Sequence, residues 1–105
     1  NSQVTAEINF SDIKFLPGAI ELANDGIMPG GSKRNLEYSE KFVEFSNELS
    51  DIQKLLACDA QTSGGLLISL PDDEADEFIK ALDSSSASKI GNIINQGSNI
   101  ISVNP

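Results

Sequence analysis

Ten consecutive residues, Cys58-Asp59-Ala60-Gln61-Thr62-Ser63-Gly64-Gly65-Leu66-Leu67, hold the densest set of reactive and hydrogen-bonding groups in the chain. A thiol, a carboxylate, an amide and two hydroxyls precede two glycines, and an apolar run, Leu66-Leu67-Ile68-Ser69-Leu70, follows. That order predicts a tight polar loop feeding a buried strand over 66–70. Glycines let the backbone bend and be approached closely, and hydroxyls with free N–H groups can hold an anion. Two readings fit Thr62, Ser63, Gly64 and Gly65: a turn into a core strand, or a polar lip on a binding cleft. No Lys follows the glycines, so the loop is not a Walker A motif, and it lacks the Gly-x-Gly-x-x-Gly dinucleotide fingerprint.

The other candidate groups point to structure rather than catalysis. The chain has no histidine and one cysteine, which rules out Ser-His-Asp or Cys-His catalysis, an internal disulfide and a cysteine zinc cluster within these residues. Cys58 has no flanking positive charge to hold a thiolate, and Asp59 opposes ionisation, so it reads as a small half-buried side chain. Asp59 reads as a loop hydrogen-bonding group, because one carboxylate does not make a magnesium site. Pro29-Gly30-Gly31-Ser32-Lys33-Arg34-Asn35 is the densest cationic stretch. It reads as a surface loop, 28–37, whose Asn35 braces the backbone, with contact to a phosphate or a partner domain as the other reading. The acids Asp72, Asp73, Glu74, Asp76 and Glu77 form a solvated helix face.

The elements that must position these groups follow from spacing. Val4, Ala6, Ile8 and Phe10 alternate with Thr5, Glu7 and Asn9, a half-buried strand. Pro17 opens a helix with Leu16, Ala19, Ile20, Ala23 and Ile27 on one face and Gly26 as its stop. Phe42 to Phe45 is a short strand. Ser50 and Gln53 form a capping box for a helix burying Leu49, Ile52, Leu55 and Leu56. Pro71-Asp72-Asp73 starts a helix with an Ala75, Phe78, Ile79, Leu82 stripe, its acids placed near the positive end of the helix dipole. A serine-rich linker, 84–88, leads to two strands, 89–95 and 100–103, joined by a hairpin turn at Gln96-Gly97-Ser98-Asn99. The order β-α-β-α-β-α-β-β predicts an α/β fold of the α+β type, one mixed sheet with packed helices.

Composition bounds the partners. At 105 residues the chain is a single domain, 1–105, large enough to bury roughly two-thirds of its unfolded surface and fold alone. A net charge of −9 argues against nucleic acid and against anionic membranes, and no apolar run approaches a bilayer span. The lone thiol and the lack of a visible signal peptide predict a cytoplasmic setting. The first residue is Asn1 rather than methionine, which predicts a piece of a longer protein.

Two segments carry a family resemblance. Residues 58–67 resemble the Asp-Pro-Gln-Thr-Ser-Gly-Gly-Leu-Leu signature of selenophosphate synthetase (selenide, water dikinase), with Ala60 where the family has proline. Leu16-Pro17-Gly18-Ala19-Ile20-Glu21-Leu22-Ala23, Gly26, Pro29-Gly30-Gly31 and Arg34-Asn35-Leu36-Glu37-Tyr38 resemble a second family pattern, and Ile90-Gly91 a weaker third. The resemblance implies most of the C-terminal domain of a two-domain enzyme of the aminoimidazole ribonucleotide synthetase-like superfamily. The family's opening segment of that domain has no counterpart here. It implies an enzyme that makes selenophosphate from selenide, ATP and water, releasing AMP and phosphate, with ATP and magnesium as cofactors of the full-length protein. It implies a homodimer whose reactive Cys or selenocysteine, essential Lys and metal-binding Asp residues lie upstream. This chain is then expected to be inactive alone, to bind no cofactor by itself, to contribute no catalytic or metal-ligating residue, and to have its own N-terminal domain as partner. Thr62, Ser63, Gly64 and Gly65 are its candidate cofactor-facing residues. The alternatives are a non-catalytic binding or assembly module, and the matching domain of a related ATP-dependent enzyme of purine synthesis, thiamine phosphate phosphorylation or hydrogenase maturation.

Overall fold

The computed structural model describes residues 2–82 and 87–105. Most of the serine-rich linker lies outside the described residues. Four strands, β1 (Val4–Asn9), β2 (Val43–Phe45), β3 (Gly91–Asn95) and β4 (Ile101–Asn104), form one mixed sheet in the order β2-β4-β1-β3. Helices α1 (Ala19–Asn24), α2 (Gly30–Ser39), α3 (Asp51–Ala57) and α4 (Asp72–Ala81) complete the fold, with a single 3-10 turn at Phe10–Asp12. β4 runs parallel to both β1 and β2, and β3 is antiparallel to β1. The expected α+β class with a mixed sheet is what the chain adopts, in the order β-α-α-β-α-α-β-β rather than the expected β-α-β-α-β-α-β-β.

Register explains the core. Ala6 pairs with Ile101 and Ile93, and Ile101 with Val43; Ile8 pairs with Val103, and Val103 with Phe45. Paired residues share a face, so one side of the sheet is apolar. The other carries the row Glu44, Ser102, Glu7 and Asn92. Helices cover the apolar side, burying Ala23, Leu49 and Leu56 with Phe10 and Val103. α3 packs against α1 and α2. Its start is held by both arms of the expected capping box: Ser50 N–H donates to Gln53 Oε1 at 2.8 Å and Gln53 N–H to Ser50 Oγ at 3.2 Å. α1 is followed by Gly26 at φ 80°, as anticipated. In β3, Gly91 lies so close to β1 that a Cβ would come 1.8 Å from the Glu7 carbonyl oxygen.

Three expectations are corrected. Residues 30–39 are a helix, not part of a loop over 28–37. Pro29 caps it in extended conformation, and Lys33, Arg34, Leu36 and Glu37 are helix-favouring residues that sustain it. Residues 66–70 are not a strand: they pair with nothing and stand exposed, Leu66 at 90% and Leu67 at 76%. Their apolar pattern suits a strand, but a strand needs a neighbour to take its backbone groups, and among the described residues none lies alongside. Finally, β3 and β4 are not a hairpin, because β1 is inserted between them. The connection crosses the end of β1, where the buried Thr5 hydroxyl donates to Asn99 O at 2.7 Å and accepts from Gly97 N–H at 2.8 Å.

Candidate functional site

The two segments singled out in the sequence meet in space. α2 lays one face along residues 58–60. Ser32, Asn35 and Ser39 sit at spacings of three and four, which places them on one side of a helix. Ser32, with 0% of its surface exposed, donates from Oγ to Asp59 Oδ1 at 3.0 Å and accepts from the Ala60 N–H at 3.3 Å. Asn35 Nδ2 donates to the Cys58 carbonyl at 3.1 Å. Ser39 Oγ donates to Leu36 O at 2.9 Å and meets Cys58 Sγ at 3.5 Å. Since the hydroxyl proton is already used, the thiol is the donor in that last contact.

Glycine at 31 allows this approach. A Cβ there would lie 2.7 Å from the Ala60 Cβ, closer than two carbons tolerate. Arg34 folds back over the same turn, its Nη1 within 3.7 Å of where a Gly30 Cβ would stand. The positive end of α2, with Lys33 and Arg34, therefore lies against the start of the signature loop in an otherwise acidic chain. Beyond Ala60 the loop leaves the body. It bends at Thr62-Ser63, and Gln61 through Leu70 are exposed. Among the described residues no hydrogen bond ties 61–70 back to the fold.

Thr62, Ser63, Gly64 and Gly65 are thus presented to solvent, just beyond the contact of Ala60 with the first turn of α2. Asp59 accepts from Ser32 rather than from neighbouring loop N–H groups. Asn35 braces the backbone as expected, and Cys58 is half-buried as expected. Ser32 and Ser39 were not singled out by type, and the signal for them was their spacing from Asn35, legible only once the segment is read as a helix. Among the described residues no three His, Cys, Asp or Glu side chains converge as a metal site. Among the described residues the one displaced titration lies elsewhere: the hydrogen bond to Asp72 raises the Lys89 pKa above its usual value, and the charges of Asp72 and Asp76 reinforce it.

Fold and site together define a small α+β domain that sets a glycine-bearing helix start against a glycine-bearing loop. No family model matches the chain. It is similar to the selenide, water dikinase of Aliarcobacter butzleri, 44% identical over 99% of this chain and 31% of that protein. The Campylobacter jejuni (strain RM1221) enzyme of the same name is 40% identical over 96% of this chain and 29% of its own length. That of Clostridioides difficile is 35% identical over 97% and 30%. The chain belongs with the selenide, water dikinases, aligning with about the C-terminal 30% of the length of these curated relatives.

Proposed function

We propose that this domain serves a selenide, water dikinase, the ATP-dependent synthesis of selenophosphate with release of AMP and phosphate. In this reading the catalytic Cys or selenocysteine, the essential Lys and the magnesium-binding carboxylates belong to a separate N-terminal domain. This domain closes one wall of the ATP cleft, with Thr62, Ser63, Gly64 and Gly65 facing it. The supporting observation is the junction of α2 with residues 58–60: two segments that resemble the family's patterns, far apart in sequence, form one continuous surface. An acidic domain without histidine has few means of doing the chemistry itself.

The surface supports a covering partner. Leu66, Leu67, Ile68 and Leu70 are exposed, as are Phe78 and Leu82 of the α4 stripe, and α4 buries none of its residues. Leu70 and Phe78 line one surface hollow, and exposed apolar side chains in such number are typical of an interface. In this reading the remainder of the enzyme supplies it, adding backbone beside 66–70. The working protein is a cytoplasmic homodimer.

The test is selenide-dependent AMP release from ATP, measured on the longest reading frame that carries this sequence and on the 105-residue chain. Turnover by the first and none by the second is the expected outcome. Robust turnover by the 105 residues alone, or none by the longer polypeptide, would overturn it.

A further inference from the structure

We propose that Ser32 is a positioning residue that, with Asn35, fixes where the loop 61–65 stands. Apart from the backbone N–H groups of Cys58 and Asp59, which bond back to the end of α3, every hydrogen bond that reaches residues 58–60 among the described residues comes from one face of α2. Ser32 alone holds two of them, joining the Asp59 carboxylate to the Ala60 amide through one hydroxyl. The Ala60 amide is the last anchored group before ten residues with no tie to the fold. A chain leaving a fixed point inherits its direction, so the geometry at Ala60 sets the placement of Thr62, Ser63, Gly64 and Gly65. The close contact of Gly31 with Ala60 removes the slack that would let the two segments slide. α2 and residues 58–60 therefore move as one unit, and a ligand or partner that shifts the start of α2 also shifts the point from which the loop departs.

The functional half of this inference rests on the reading of 62–65 as a wall of the ATP cleft, so the experiment separates the two. Amide hydrogen exchange is followed in the longest polypeptide carrying the sequence, for Ser32→Ala, Asn35→Asp, Asp59→Ala and Asp59→Asn. Asn35→Asp keeps the shape of an exposed side chain, removes the donor to Cys58 and sets a negative charge against its carbonyl oxygen. Asp59→Asn keeps an oxygen that can accept from Ser32. Exchange of the Ala60 amide, which the Ser32 hydroxyl protects, should speed up about tenfold in the first three variants, as expected for a lost hydrogen bond, and stay near the unsubstituted rate in Asp59→Asn. β1 and β4 should keep their protection. The KM for ATP should rise by a similar factor, with kcat changing far less. Unchanged exchange at Ala60, or exchange raised equally in β1 and β4, would overturn the positioning role. An unsubstituted polypeptide that does not turn over would sink the functional reading and leave the exchange result to decide the positioning.

Discussion

Leu56 and Leu66 lie ten residues apart in similarly apolar stretches and meet opposite fates. Leu56, on α3, is 7% exposed and packs with Ala23, Leu49, Phe10 and Val103. Leu66, just past the signature loop, is 90% exposed. The helix around Leu56 satisfies its own backbone, so its apolar face needs only a sheet to lie on. The segment after Leu66 has a strand pattern, and a strand is half a structure until another strand takes its N–H and C=O groups. Between the two lies the hinge of the comparison, residues 58–60, held to α2 by side chains rather than by sheet pairing.

Substitutions at the two leucines give the largest contrast. Leu56→Ala should lower the unfolding free energy by about 2–5 kcal/mol, the range for truncating a packed core leucine. Leu66→Ala should change it by no more than about 0.5 kcal/mol in this chain, as at an unpacked surface position. Urea denaturation of both variants measures the difference. If a partner segment covers 66–70, the cost of Leu66→Ala should climb toward that of Leu56→Ala in the longer polypeptide. A high cost in the 105-residue chain would mean that the segment is buried after all.

A smaller contrast separates the two glycine motifs. Gly31→Ala forces a carbon to within 2.7 Å of the Ala60 Cβ, and overpacking of that kind costs about 1–3 kcal/mol. Gly65→Ala meets nothing within 4 Å and should be close to neutral in stability. Equal thermal shifts for the two would break the distinction between a clamped start and a free end of the loop.

The smallest effect belongs to Lys89, whose ammonium pairs with Asp72 at the start of α4. The folded-state pKa is raised, so any stabilisation is fully present below the unfolded value of 10.5 and lost as pH rises through the higher folded value. Both groups are well exposed, and exposed pairs contribute little. Lys89→Met should leave the melting temperature unchanged within error at neutral pH. A clear drop would show that α4 is held to the body more firmly than its exposed surface implies.

Local signals were legible where a segment satisfies itself. The alternation of Val4, Ala6 and Ile8, the Ser50–Gln53 capping box, the glycine stop at Gly26 and the acidic start of α4 each act over a few residues, and each reads directly from the chain. The signature loop was likewise visible as a loop, and Asn35 as a backbone brace. Ser32 was not, because a serine becomes a buried linker only when a distant carboxylate and amide close over it.

Long-range geometry decided the rest. Gly30-Gly31 resembles a loop until Ala60 is brought against it, and then Gly31 is the residue that lets a helix begin there. Gln96 to Asn99 resembles a hairpin turn until β1 takes the place between β3 and β4. Leu66 to Leu70 has the composition of a strand and, among the described residues, no strand partner to make it one. The amino-acid order determined which segments could be helix, strand or turn, because dihedral preference and side-chain period are properties of neighbours along the chain. Which segments touch, and therefore which glycine is compressed, which serine is buried and which leucines stay exposed, was decided by tertiary packing, because hydrogen-bond pairing and burial depend on groups far away in sequence.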